Sequence, residues 1–225
     1  DGGYLIKQFT LANGALDGDG IVSLPKLKTH ALTRLTGAVK NQFGCIPGFL
    51  KAEFHARLPE MDRFAQMLVD LTRCLAPRLY VMDGVVSMEG NGPRSGKPRA
   101  TNVLLFSADP VAIDAAACRV IALDPMRVPT VRWGHETGLG RAEPLELLGD
   151  DLESCLVADF KADRKAGSTT GTMNNLLARL MRNTIVPRPV LDESRCTRCG
   201  TCVKVCPVSP KAIDQAEELS SSNVS

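Results

Sequence analysis

Apolar and polar residues follow one another along residues 20–150 in a pattern typical of alternating strands and helices. The segments "GIVSLPKLK" (20–28), "RLYVMDGVV" (78–86) and "TNVLLFSADP" (101–110) are short apolar runs rich in β-branched residues, and we expect them to form strands. The shorter run "PLELLG" (144–149) predicts a late strand. These segments supply the strands of a predicted sheet.

Helical patterns lie between these strands. Residues 59–77 carry apolar side chains at helical spacing between two prolines, namely at Met61, Phe64, Leu68, Leu71 and Leu75. Residues 109–123 predict a second helix, with Asp109 as N-cap and Pro110 at its first position. We therefore predict an α/β fold, a layered and mostly parallel sheet with flanking helices.

The pattern weakens after residue 150 and then changes in kind. "KADRKAGSTTGT" (161–172) is polar, "MNNLLARLMRN" (173–183) is helical in pattern, and a cysteine-rich segment follows. We predict one α/β domain over residues 1–185 and a small cysteine-rich module over residues 186–225.

Composition excludes several classes of protein. The chain has 225 residues, of which 44% are hydrophobic and 23% charged, and its formal net charge is +2 with acids and bases interspersed. No extended basic face and few aromatic residues are present, so neither nucleic acid nor an anionic membrane is predicted as a partner. No apolar run reaches the length of a transmembrane helix.

The eight cysteines fall into two groups. Four are scattered and are interpreted as small buried apolar residues: Cys45, Cys74, Cys118 and Cys155. The other four have the spacing C-x2-C-x2-C-x3-C-P and are Cys196, Cys199, Cys202 and Cys206. This spacing is typical of a 4Fe-4S cluster, with a zinc site as the structural alternative. Free thiols and a cluster indicate a reducing compartment, for which we predict the cytoplasm.

Cys206 complicates this assignment. In two-cluster ferredoxins the cysteine before the proline ligates the other cluster, but this chain contains no second cysteine run. Either the second half of the module lies beyond a truncation, or a remote cysteine or a partner supplies the missing ligand. We favour truncation.

Three predicted strands end in polar residues. The first runs into Lys26, Lys28 and His30, the second into Asp83 and a glycine-rich loop, and the third into Asp109. Parallel strands would bring these groups to one carboxyl edge, where open α/β sheets bind ligands. Lysines there could neutralise a carboxylate or phosphate. The candidate ligand contacts are Lys26, Lys28, His30, Lys40, Asn41, Asp83, Glu89 and Asn91.

Each of these features also has a purely structural interpretation. Lysines after a strand are common in solvated turns, and Asp109 is explained as a helix cap. Gly90, Gly92 and Gly96 either let backbone approach a ligand or only shape their loop.

Four separated segments resemble a known family. "LPKLKTHALTRLTGAVKNQFGCIPG", "MDGVVSMEGNGPRSGKPR", "LFSADPVAIDAAACRVI" and "GLGR" occur in the order found in the domain-of-unknown-function family 362, a group of uncharacterised iron-sulfur proteins. The resemblance covers roughly residues 20 to 150. It implies a redox-associated α/β protein with a C-terminal ferredoxin module, and it implies that both ends of this chain are shortened.

The sequence predicts an iron-sulfur protein whose module passes single electrons to or from the α/β domain. The expected partners are an electron donor or acceptor protein and a small anionic or metal-bound ligand. No catalytic residue is identified, and oxidoreductase is the enzyme class that this function implies. Two alternatives stay open. One is a non-redox metal- or phosphate-dependent enzyme using Asp83, Glu89 and Asp114, with a structural cluster; the other is a redox- or iron-sensing binding protein.

Overall fold

The computed structural model describes residues 3–162 and 194–204. The chain divides into two compact units, Asp1–Ala166 and Gly167–Ser225. The predicted domain boundary at residue 185 and the predicted helix over residues 173–183 lie outside the described residues, and both stay predictions.

Five strands form one sheet in the first unit. They are β1 (Val22–Ser23), β2 (Lys26–His30), β3 (Arg34–Thr36), β4 (Leu79–Glu89) and β5 (Lys97–Ser107). β1 and β2 follow one another directly in the chain and are separated only by Leu24 and Pro25. Both run parallel to β4. β3 is antiparallel to β2, and β5 is antiparallel to β4 on its other side.

Helices flank this sheet. They are α1 (Ala38–Asn41), α2 (Leu50–Arg57), α3 (Met61–Leu75), α4 (Pro110–Val120) and α5 (Pro129–Glu136), with 3-10 turns at Asn13–Ala15, Gln42–Cys45 and Pro125–Arg127. In the second unit, α6 (Thr201–Lys204) contains Cys202, the third cysteine of the run. The predicted α/β class with flanking helices is confirmed. Every helix in the described ranges is too short or too polar for a transmembrane span.

Two apolar clusters hold the first unit together. One joins the inner face of the sheet to α4 and includes Leu27, Tyr80 and Met82. The other surrounds α3 and includes Phe43 and Phe64. Burying such side chains stabilises the fold by about 1.5–3 kcal/mol each. The second cluster packs α1 against α3, and this contact positions the residues that lead into the candidate site.

The sequence pattern predicted the two long helices, α3 and α4, correctly. α3 lies between Pro59 and Pro77, with Phe64, Leu68 and Leu71 buried as predicted. Asp109 caps α4, because its Oδ1 accepts hydrogen bonds from the backbone N–H groups of Val111 (2.7 Å) and Ala112 (2.9 Å).

Other expectations about the fold are wrong. Residues 144–149 form no strand: Leu145 packs on the core, whereas Leu148 is 90% exposed and has no neighbouring strand to pair with. Of the scattered cysteines, Cys118 is buried as expected, but Cys74 is exposed because it lies on the outer face of α3.

Candidate functional site

The carboxyl ends of β2 and β4 lie at one edge of the sheet, as expected from their parallel pairing. Lys26 is beside Asp83 in the register, and Lys28 is beside Met88. Asp109 lies at the opposite edge, because β5 runs antiparallel to β4 and returns towards the start of that strand. Of the three strand ends that were expected to meet, only those of β2 and β4 lie at the same edge of the sheet.

Lys26 and Asp83 pair with each other at the surface. Nζ of Lys26 donates to Oδ2 of Asp83 at 2.6 Å, and the two side chains are 46% and 49% exposed. This hydrogen bond, with a second from the backbone N–H of Val85, holds the pKa of Asp83 below its ordinary value. Asp83 lies within β4 and does not end it, because the strand continues through a bulge at Gly84 to Glu89. An exposed pair of this kind contributes about 0–1 kcal/mol.

Five basic side chains lie close together beyond this pair, and we call them the basic cluster: Lys28, His30, Lys40, Lys51 and His55. Burial lowers the pKa of His30 to about 4, helped by the positive charges of Lys40, His55 and Lys28. Burial also lowers the pKa of Lys40 to about 8, helped by Lys28 and Lys51. Partial burial and the charge of Lys40 lower the pKa of His55.

Among the residues that the structure describes, no carboxylate neutralises the lysines of this cluster. Within residues 3–162 and 194–204, neither Lys28, Lys40 nor Lys51 forms an ion pair. Like charges gathered without a counter-charge raise the free energy of the protonated forms, which adds to the lowering of the pKa values that burial causes. A bound anion would reverse this effect.

Aromatic rings pack against two side chains of the basic cluster, Lys40 and His55. Nζ of Lys40 lies 4.5 Å from the centroid of the Phe43 ring and 5.6 Å from that of Phe64. The exposed ring of His55 stacks on Phe64, with 4.5 Å between centroids and 17° between planes. The faces of these rings attract cations and so offset part of the repulsion within the cluster.

Hydrogen bonds define the tautomer of His30. Its Nδ1 accepts from the backbone N–H groups of Leu32 (3.1 Å) and Thr33 (3.2 Å). An accepting Nδ1 in a neutral ring leaves the proton on Nε2. With its lowered pKa, His30 is neutral at pH 7 and presents Nε2–H as a donor.

The remaining predicted contacts are engaged elsewhere. Asn41 is exposed and donates to Oγ of Ser23 at 3.0 Å. Glu89 is buried, and its Oε2 accepts from the backbone N–H of Lys161 at 3.0 Å. Asn91 is exposed in the loop after β4, where its carbonyl accepts from Ser95. The structure thus brings together Lys28, His30 and Lys40 and leaves the other five candidates outside the cluster.

The glycine-rich loop approaches protein backbone. A Cβ at Gly92 would collide with the carbonyl of Thr29, and one at Gly96 would collide with the end of β4. Thr29 Oγ1 also donates to the carbonyl of Gly90 at 2.9 Å. These contacts place the loop against β2 and the end of β4, so the structural interpretation accounts for Gly92 and Gly96.

The three carboxylates proposed for a divalent metal do not converge. The β4 bulge turns Asp83 and Glu89 to different faces of the strand. Asp114 is fully buried on α4 and accepts from the backbone N–H groups of Ala38 (2.5 Å) and Val39 (3.1 Å) at the start of α1. Burial raises its pKa to about 7. This carboxylate therefore has a structural role at α1.

A cavity of about 190 Å³ lies apart from the basic cluster, between α3, α5 and the amino-terminal segment. Asp70, at its wall, already accepts three backbone hydrogen bonds, from residues 4, 5 and 6. The cavity lining comprises Tyr4, Gln66, Val69, Asp70, Trp133 and Thr137.

Sequence reasoning missed Lys51 and His55 as members of the cluster. Both lie on α2, four residues apart, and therefore share one face of the helix. That spacing was the available signal, but α2 itself was not predicted.

The cysteine run in the second unit has donor chemistry suited to an iron-sulfur cluster. The backbone N–H of Arg198 points at Sγ of Cys196 at 3.4 Å, and positive φ angles at Arg198 and Gly200 turn the chain around the thiols. The side-chain hydrogen bond with Thr201 is the main cause that lowers the pKa of Cys199 to about 7. Thiolates are the ligands such clusters require. Cys206 lies outside the described residues.

The described ranges contain no group of three or more His, Cys, Asp or Glu side chains gathered for metal binding. The cluster assignment therefore depends on ligand type, on spacing and on similarity to known proteins.

The fold and the cysteine run define an α/β protein with a C-terminal iron-sulfur module. Two families match: the domain of unknown function (DUF362) over residues 1–119, and the 4Fe-4S binding domain over residues 189–210. The chain belongs to the DUF362 family. Both the family that the sequence resembles and its 4Fe-4S cofactor are confirmed.

A curated relative is also similar to this chain. The "Thylakoid-associated protein sll1697" of Synechocystis sp. (strain ATCC 27184 / PCC 6803 / Kazusa) is 41% identical over 172 residues, which cover 71% of this chain and 54% of the relative. The chain thus spans about half the length of that relative. No solved structure matches.

Proposed function

We propose that this iron-sulfur protein exchanges single electrons through its C-terminal module and binds a small anionic ligand at the basic cluster. The observation that carries the ligand proposal is the basic cluster itself. Lys28, Lys40 and Lys51 lie together with no ion pair among the described residues, and burial, helped by the charges of Lys28 and Lys51, lowers the pKa of Lys40 to about 8. Clefts of one charge concentrate ligands of the opposite charge.

The electron-transfer proposal is supported by the 4Fe-4S family match. When bound, such a cluster accepts and releases single electrons at a potential that depends on hydrogen bonds to its sulfurs and on exposure. In this chain, the N–H of Arg198 is one donor aimed at a cysteine sulfur. An oxidoreductase role, with a protein as electron donor or acceptor, belongs to this proposal.

Two measurements on anaerobically purified full-length chain test these two parts separately. A redox titration followed by visible absorption should show a reversible one-electron transition; a cluster that does not cycle between pH 6 and 8 would refute electron transfer. Isothermal titration with inorganic phosphate should show binding that weakens in Lys28→Gln and Lys40→Gln. Lys7→Gln, at an exposed lysine in the amino-terminal segment, is the matched control. Equal phosphate affinities in the parent protein and all three variants would refute the ligand site.

Location is part of the proposal as well. A cluster and free thiols favour a reducing compartment, and we propose the cytoplasm. The name of the curated relative associates that protein with thylakoids, so a membrane surface is the competing location. Fractionation of cells expressing a tagged full-length protein distinguishes the two: recovery with the membrane pellet at low salt would contradict the cytoplasmic location.

A further inference from the structure

Buried polar atoms without hydrogen-bond partners are concentrated on β3. In the described part of the chain four buried side-chain atoms lack a partner, and three of them belong to this strand: Nε and Nη1 of Arg34 and Oγ1 of Thr36. Arg34 is only 4% exposed and Thr36 only 7%. Buried polar groups in folded proteins are nearly always paired, so such a concentration indicates a group that the described residues do not supply.

The strand register places these side chains beside the basic cluster. In the antiparallel β2–β3 pair, Arg34 lies opposite His30 and Thr36 lies opposite Lys28. Directly opposed residues of extended strands project from the same face of a sheet, and this applies to Thr36 and Lys28. Arg34 has a positive φ of 64°, so the rule fixes only the position of its backbone, next to that of His30. Leu35, opposite Thr29, belongs to the other face and is buried in the core. Thr36 therefore extends the polar face of β2, and Arg34 begins β3 beside the end of that face.

The chemistry of this combined face selects the kind of ligand. A guanidinium, lysine ammonium groups and the Nε2–H of His30 are all donors, and Arg34 forms no ion pair within the described residues. A metal cation would be repelled by such a set. A compact group with several negatively charged oxygens would satisfy the arginine and balance the lysines together.

We propose that Arg34 and Thr36 form the buried end of an oxyanion site and bind a phosphate or carboxylate group of the ligand. This inference depends on the proposed function, because the basic cluster supplies the remaining charge of the same site. It adds the class of ligand group and two contact residues that the sequence did not indicate.

The test uses anaerobically purified full-length chain at pH 7, with inorganic phosphate and succinate as separate probes in isothermal titration. Arg34→Met should weaken binding of one probe by about 10- to 100-fold, as expected for a lost charge-assisted hydrogen bond. Thr36→Val should weaken binding of the same probe. Thr36→Ser should bind that probe with the affinity of the parent protein, because serine keeps the hydroxyl group. The probe that responds distinguishes phosphate from carboxylate as the bound group.

A stability measurement separates ligand binding from a structural role. Without ligand, Arg34→Met should unfold at the same or a higher temperature than the parent protein, since it replaces a buried, unpaired charge by an apolar side chain. A large loss of thermal stability would show that Arg34 has a protein partner, and would overturn the inference. Unchanged affinity in Arg34→Met together with weakened binding in Lys28→Gln would also overturn it, while leaving the proposed ligand site intact. If the parent protein binds neither probe, the oxyanion assignment is wrong.

Discussion

Replacing Lys40 by methionine is expected to stabilise the α/β domain at neutral pH, with a gain that disappears as the pH rises. Methionine retains most of the length and apolar contact of the lysine side chain on the Phe43 and Phe64 rings, but it removes the charge. The substitution therefore tests the electrostatic account of the basic cluster more than its packing.

The size of the effect follows from two opposing terms. The pKa of Lys40 falls from 10.5 to about 8 through burial and the charges of Lys28 and Lys51. That difference corresponds to about 3 kcal/mol against the folded state when the lysine is charged. Attraction between the Lys40 ammonium group and the two aromatic rings stabilises the folded state by about 1–2 kcal/mol and offsets part of this penalty. We expect Lys40→Met to raise the free energy of unfolding by about 1–2 kcal/mol at pH 7.

The pH dependence has a definite sign. Below about pH 8 Lys40 is protonated in both the folded and the unfolded chain, so the full penalty acts on the folded state. Between about pH 8 and pH 10.5 the folded state loses its proton first, and the penalty declines. The parent protein should therefore gain stability relative to Lys40→Met across this window, and no charge penalty should separate the two above it.

Urea unfolding monitored by tryptophan fluorescence measures this difference, because the single tryptophan, Trp133, lies on α5 within the α/β domain. Lys7→Met serves as the control for loss of an exposed lysine. A stability difference between Lys40→Met and the parent that stays constant from pH 7 to pH 10.5 would refute the reasoning, and so would a destabilised variant at pH 7.

Four further substitutions have distinct expected results. Cys202→Ala should abolish bound iron and sulfide, whereas Cys206→Ala should lower them less in this chain, because the cysteine before a proline serves a second cluster in two-cluster modules; equal and complete loss would make Cys206 a direct ligand. Asp114→Ala should lower the free energy of unfolding by about 2–4 kcal/mol, since two buried N–H groups of α1 lose their acceptor. A loss below about 1 kcal/mol in urea unfolding would contradict that role. Asp70→Ala should release the amino-terminal segment held by three backbone bonds and accelerate tryptic cleavage at Lys7 about tenfold or more; an unchanged cleavage rate, measured by mass spectrometry, would contradict it.

Short-range patterns predicted the two long helices and the cofactor. The apolar spacing of α3 between two prolines and the Asp109 cap of α4 act over one or a few turns, so they can be identified in the sequence without knowledge of the fold. The cysteine run is similar, since its four cysteines lie within eleven residues. A cluster-binding loop of this kind is encoded almost entirely by local spacing.

Pairing direction and strand length were not available from local patterns. Asp83 looked like the end of a strand because an acid and a glycine follow an apolar run, yet Lys26 on the neighbouring strand neutralises it and β4 continues. Asp109 looked like a partner of the β2 end, but the antiparallel return of β5 places it at the other edge. Both errors concern the pairing of one strand with another, which the pattern within a single segment does not encode.

The sequence by itself determined the class of the protein, the positions of its main helices and the identity of its cofactor, because each depends on residues close together in the chain. Only the tertiary structure decided the composition of the basic cluster. Lys28 and His30 on β2 meet Lys40 on α1 and the side chains of α2 through folding, and the register of β3 places Arg34 opposite His30. The depressed pKa values follow from that convergence, since charge repulsion and loss of hydration depend on distance in space and on burial.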